Sequence, residues 1–135
     1  MNNSLIMMAT TTANSVLANG IIPLTTITRR RGQVVTSSNS GIVLNRAGYY
    51  KVNGNITFTA DDAGDVTITA QKNGVDIVGM TASTTITTAT TEVRTLNVSG
   101  IVRVTCGEGF ATLTLVNGDL AITTSNVEID VEYLG

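Results

Sequence analysis

From Ile21 to the C-terminus, short runs of β-branched residues alternate with polar ones in steps of two, and Gly, Asn and Asp separate the runs. A step of two sends neighbouring side chains to opposite faces of a strand, so the pattern predicts consecutive half-buried strands. The clearest spans Gly48 to Ala60. Tyr50, Val52, Ile56 and Phe58 fall on one face, Lys51, Asn53, Asn55, Thr57 and Thr59 on the other, and Gly54 leaves a gap on the apolar side. Asp61-Asp62-Ala63-Gly64 reverses the chain into Asp65 to Lys72, where Val66, Ile68 and Ala70 point inward. Asn73-Gly74 then predicts a type I′ hairpin into Val75 to Gly79, because both central residues of that turn need positive φ.

The Thr-rich run from Thr81 to Thr91 carries almost no charge, which suits a strand or loop half covered on both faces. Leu96, Val98, Val102 and Val104 share one parity with Gly100 between them, predicting a long strand that bends or bulges at Ser99-Gly100. Gly107-Glu108-Gly109 turns the chain into Phe110 to Val116, and Asn117-Gly118-Asp119 turns it again. The closing strand sets Val127, Ile129, Val131 and Tyr133 against an acidic row of Glu128, Asp130 and Glu132. With Ile21 to Arg31, Gln33 to Val35 and Ile42 to Arg46 added, the count is about eight to ten strands and no helix. The predicted fold is all-β, an antiparallel jelly-roll sandwich over residues 21–135.

Residues 1–20 lack the alternation. Their Thr, Asn, Ser and Ala content predicts an extended arm, or a short helix over Thr12 to Asn19 that forms on contact with a partner. Leu5, Ile6, Met7 and Met8 form an apolar run with nothing local to bury it, so they are candidate partner-binding residues. On this reading, deleting Met1 to Asn19 leaves the fold intact.

Composition narrows the function. A chain of 135 residues is long enough for one core and too short for two. Charged residues make up 13%, against a usual share of about a quarter. The net charge of −2 makes neither nucleic acid nor an anionic membrane an expected partner. So little charge predicts that part of the surface is covered by further copies of the chain. Histidine is absent and Cys106 is the one cysteine, which removes an imidazole base, a Cys-His pair, a Ser-His-Asp triad and ordinary zinc sites. Cys106 is expected as a small buried apolar residue. Asp61, Asp62 and Asp65 lack calcium-loop spacing and read as a turn, so neither metal nor cofactor is expected. Asn55-Ile56-Thr57 and Asn97-Val98-Ser99 match the glycosylation acceptor pattern but read as strand residues.

Met1 to Ala18 contains no Lys or Arg and only a short apolar run, which does not match a secretory signal. No run approaches the roughly 18 apolar residues of a spanning helix. The expectation is a protein made in the cytosol. Arg29-Arg30-Arg31 is the one notable charge cluster. In a strand Arg29 and Arg31 share a face and Arg30 takes the other. The cluster is either a cationic contact to an acidic surface or a neighbouring protomer, or a charge-protected edge. The acidic row Glu128, Asp130 and Glu132 is its natural complement, within or between protomers.

The order of these segments resembles the jelly rolls of the tumour necrosis factor and complement globular-head superfamily. The matching residues are Ile42-Val43-Leu44, Gly48-Tyr49-Tyr50, the Asn-Ile-Thr-Phe centre from Asn55 to Phe58, and the closing Val131-Glu132-Tyr133-Leu134. The resemblance covers about Ile21 to Gly135 and implies a homotrimer whose first and last strands pair. The opening Met1 to Leu24, with Thr10-Thr11-Thr12, Ala18-Asn19-Gly20 and Ile22-Pro23-Leu24, is similar to small head-fibre or capsid-decorating proteins of tailed phages. That likeness implies a virion structural protein, assembled in a bacterial cytoplasm, whose partners are its own copies and a major capsid or other virion protein. The expectation is a non-enzyme. The alternative is a receptor- or glycan-binding module at a fibre tip, which calls for exposed aromatics; the chain holds Trp 0, Tyr 3 and Phe 2.

Overall fold

The computed structural model describes residues 4–38 and 40–135, and among them the alternating pattern folds into eleven strands. These are β1 (Leu5–Thr10), β2 (Asn14–Val16), β3 (Thr26–Arg31), β4 (Val35–Ser38), β5 (Gly41–Leu44) and β6 (Gly48–Ala60), followed by β7 (Gly64–Lys72), β8 (Val75–Ile86), β9 (Arg94–Val104), β10 (Ala111–Asn117) and β11 (Ile122–Tyr133). One sheet has the order β3-β1-β11-β6-β9, with β2 also paired to β11; the other has the order β4-β5-β10-β7-β8. Every pairing is antiparallel. The result is an antiparallel jelly-roll sandwich, the fold class that the pattern predicts.

The inward parity of each long strand supplies the core. Tyr50, Val52, Ile56 and Phe58 of β6 meet Val66 and Ile68 of β7, Leu113 and Leu115 of β10, and Val127, Ile129 and Val131 of β11 in one buried cluster. Burying each such side chain contributes about 1.5–3 kcal/mol from transfer alone. Asn73 and Gly74 both have positive φ, +53° and +81°, as the hairpin requires. At Gly48, whose φ is +139°, an added Cβ would lie 2.8 Å from the Tyr133 ring. The glycine lets Tyr133 pack against Tyr50 at 5.0 Å between ring centroids and donate its hydroxyl to the Ala47 carbonyl. The C-terminal strand is thereby closed onto the start of β6.

Three expectations need correction. The first concerns residues 1–20. Leu5–Thr10 is no arm: it lies between β3 and β11, and Ile6 and Met8 are buried in the core. Asn14–Val16 pairs with β11, and the buried Asn117 amide donates to the Leu17 carbonyl at 3.2 Å, fastening this segment to the turn after β10. The second concerns Ser99-Gly100, where β6 and β9 pair without a break from Gly48↔Val104 to Phe58↔Arg94. Gly100 serves packing instead, since a Cβ there would stand 2.9 Å from Met80 Cγ. The third is Cys106, which is exposed on a short 3-10 turn, Cys106–Glu108.

Candidate assembly surface

The strand register of the six-stranded sheet decides which residues share its outward face. Leu5 lies opposite Glu132 and Met7 opposite Asp130; Glu132 in turn lies opposite Lys51, and Asp130 opposite Asn53. Lys51 and Asn53 face Ile101 and Ser99 of β9. Across β1, Arg31 pairs with Leu5 and Arg29 with Met7, whereas Arg30 pairs with the buried Ile6. Reading across, the face runs from a cationic edge on β3 through apolar β1 and an acidic row on β11 to polar β6 and mixed β9.

Several large apolar residues stand exposed on this face. They are Met7, Tyr49 and Ile101, with Leu134 one residue past the end of β11. The Arg103 guanidinium lies 5.7 Å from the Tyr49 ring centroid. The Asn97 amide donates to Asn53 Oδ1 at 2.8 Å and to Asn55 Oδ1 at 2.9 Å, which locks these short polar side chains together. Two shallow concavities, of about 470 and 320 Å³, share Asn53 and Asp130 and so form one trough over β11 and β6.

The charges on this face are largely uncompensated. Among the described residues the ion pairs are Lys72–Glu108 and Arg94–Glu92. Neither involves Glu128, Asp130, Glu132 or the three arginines. The expected meeting of the arginine and acidic rows does not occur within the protomer, because the strand paired to β11 is β1, and β3 lies beyond it. Two ranks of strand spacing, about 10 Å, separate them. Ile6 and Met8 are withdrawn from any contact surface by burial, while Met7 remains exposed and Leu5 half-exposed on the outward face. Tyr49, Ile101 and Leu134 were not singled out from the sequence; their parity opposite Tyr50, Val102 and Tyr133 is the signal that finds them.

The charge pairs that do form are structural. Glu92 accepts hydrogen bonds from the Thr87 and Thr88 amides, both at 3.1 Å, and from the Thr87 hydroxyl at 2.8 Å. These bonds and the Arg94 guanidinium hold its pKa down to about 2. Glu108 is likewise lowered, by the Thr105 amide and the Lys72 ammonium. Each ties a loop at the sandwich edge. Asp61 and Asp62 are exposed turn residues, and among the described residues no cluster of acids or cysteine could hold a metal.

No known protein family model matches the chain, and no curated protein matches it either. Solved structures do. The Eiger tumour necrosis factor of S. frugiperda superposes with a TM-score of 0.70 at 10% identity, over 98% of this chain and 92% of that one. The globular domain of zebrafish complement 1qA gives 0.70 at 4% identity, over 97% and 96%. PRD1 vertex protein P5 gives 0.62 at 15% identity, over 98% and 97%. At these identities the likeness establishes the fold, the jelly roll that the Gly48-Tyr49-Tyr50 and Val131 to Leu134 segments had suggested.

Proposed function

We propose that this chain is a non-catalytic structural protein of a phage particle, a capsid-decorating or head-fibre domain that assembles as a homotrimer. The observation that carries the reading is the outward face of the six-stranded sheet. Its exposed apolar side chains and unpaired carboxylates make a poor surface for a lone protomer and a suitable one for a second protein surface. The shared fold with a phage vertex protein supports the virion setting. In this reading the trough over β11 and β6 is covered by a neighbouring copy, and the β3 arginines remain as the contact to the capsid.

The rival, a glycan-binding tip module, has weaker support. Of five aromatic residues only Tyr49 and Phe110 are exposed, a sparse provision for stacking on sugars.

Light scattering at micromolar concentration tests the assembly. The expected mass is about three times that of the 14.1 kDa chain, and a monomer overturns it. Particles purified on a density gradient from cells expressing the chain with its phage test the setting. The chain is expected to travel with the particles, and its absence from them overturns the virion assignment.

A further inference from the structure

We propose that the free edge of β3 is a docking site for an extended, carboxylate-rich segment of a partner protein, added as a further strand beside Thr26–Arg31. The proposal deepens the functional reading above, since on that reading the segment belongs to the decorated particle.

β3 ends its sheet, so one row of its backbone N–H and C=O groups has no strand partner among the described residues. All six of its residues are exposed, and none is proline. Its register with β1 slips at Thr28, between Met7↔Arg29 and Met8↔Ile27, so the regular stretch that can template another strand is Arg29 to Arg31. The guanidiniums of Arg29, Arg30 and Arg31 decide which strand. A second copy of β3 pairing here would double the cations along one narrow ribbon, and like charges at that spacing repel. A strand bearing Asp or Glu meets the opposite situation, because it brings carboxylates to both faces of the edge. Arg29 and Arg31 would take those on the outward face and Arg30 those on the other, with bidentate geometry open to each.

The protomer itself does not satisfy these arginines. No carboxylate among the described residues pairs with them. The acids of β11 lie about one Debye length away across β1. A concavity of about 370 Å³ runs along the same edge, lined by Leu5, Thr28 and the three arginines. It can seat the side chains of an added strand. A nucleic acid or polyphosphate would engage the charges alone and leave the backbone row unused, whereas an acidic strand uses both.

The test uses the full chain and an acetylated peptide of Glu-Glu-Thr repeats, whose carboxylates fall on both faces of an extended strand, titrated calorimetrically at low salt. A second peptide carries N-methyl groups on successive amides, so that neither of its edges can donate to β3, and inorganic polyphosphate serves as a charge-only probe. The unmodified peptide is expected to bind, and to bind about tenfold or more weakly when N-methylated or when the chain carries R29S, R30S and R31S together. Amide exchange in Thr26–Arg31 should slow in the unmodified peptide's presence. No binding, or equal binding of the N-methylated peptide, overturns the strand; in the latter case the edge is only a polyanion patch, with polyphosphate binding alike. The N-methylated arm needs no variant, so it decides even if the triple substitution misfolds. Peptide capture without particle association overturns the virion reading alone, and particle association without peptide capture overturns the docking site alone.

Discussion

The two outward faces of the sandwich are built from the same strand geometry yet meet water differently. On the five-stranded sheet the outward residues are chiefly hydroxyls, Thr36, Thr112, Thr114, Thr67, Thr69, Thr81, Ser83 and Thr85, with Asp65 and Asp76 among them; half-buried Val43 and Val116 share this face, and the edge strand β8 carries exposed Val75 and Val78. Several satisfy one another. Thr69 and Thr81 hydroxyls lie 3.2 Å apart, Thr85 donates to Asp65 at 2.8 Å, and the Gln71 amide donates to Asp76 at 2.8 Å. On the six-stranded sheet, exposed Met7, Tyr49 and Ile101 share the face with carboxylates that form no ion pair among the described residues, although Lys51 lies opposite Glu132. A face whose polar groups pair across strands has little to gain from a partner. One that mixes bare apolar area with unpaired charge gains from being covered. In the trimer proposed above, the difference favours the six-stranded side as the covered one.

The comparison breaks most completely if β1 is removed. Deleting Met1–Thr10 takes Ile6 and Met8 out of the core and strips both β3 and β11 of a partner. Losing each buried side chain costs about 2–5 kcal/mol, and a domain's whole stability is about 5–15 kcal/mol. The truncated chain is expected to lose its cooperative thermal transition in circular dichroism. A truncation that melts like the intact protein would show that β1 is dispensable.

A second pair of substitutions sharpens the contrast between faces. Ile101→Asp and Thr69→Asp both place a carboxylate on an outward position. Each should change protomer stability by no more than about 0.5–1 kcal/mol. Ile101→Asp adds a charge to the proposed assembly face and should yield monomers in light scattering. Thr69→Asp should leave the mass unchanged. Equal behaviour of the two would erase the distinction.

The smallest expected effect concerns the loop joining the sheets between β8 and β9. Glu92 has a folded-state pKa near 2, below its ordinary 4.5, because its carboxylate collects hydrogen bonds from Thr87 and Thr88 and the charge of Arg94. A depressed carboxyl pKa gives stability that is present above pH 4.5 and lost as pH falls through about 2. Melting temperatures across that interval should therefore decline less steeply in Glu92→Gln than in the parent. An unchanged slope would show that Glu92 is not the group responsible.

Much of this was legible in the sequence where one face of a strand is buried and the other wet. β6 begins and ends at the residues its alternation marks, Gly48 and Ala60, and Val127, Ile129 and Val131 are inward as their parity predicts. β1 was hidden by the same logic. Its inward Ile6 and Met8 enter the core, while Leu5 and Met7, also apolar, lie on the outward face of the six-stranded sheet, so the run Leu5-Ile6-Met7-Met8 shows no alternation. Cys106 misled for the opposite reason: its residue type favours burial, but Gly107 and Gly109 hold it on an outlying 3-10 turn.

By itself the sequence determined the fold class, the parity of the long strands, the Asn73-Gly74 hairpin and the absence of histidine chemistry. Each of these depends on neighbours within a few residues or on inventory alone. Tertiary structure decided the order of strands in the sheets. It inserted β1 between the arginines of β3 and the acids of β11, separated Ile6 from Met7, and filled the space beside Gly100 with Met80. Those outcomes join residues far apart in the chain, and local periodicity does not encode them. Packing does, because only one arrangement buries every inward row while leaving each strand its hydrogen-bonded neighbours.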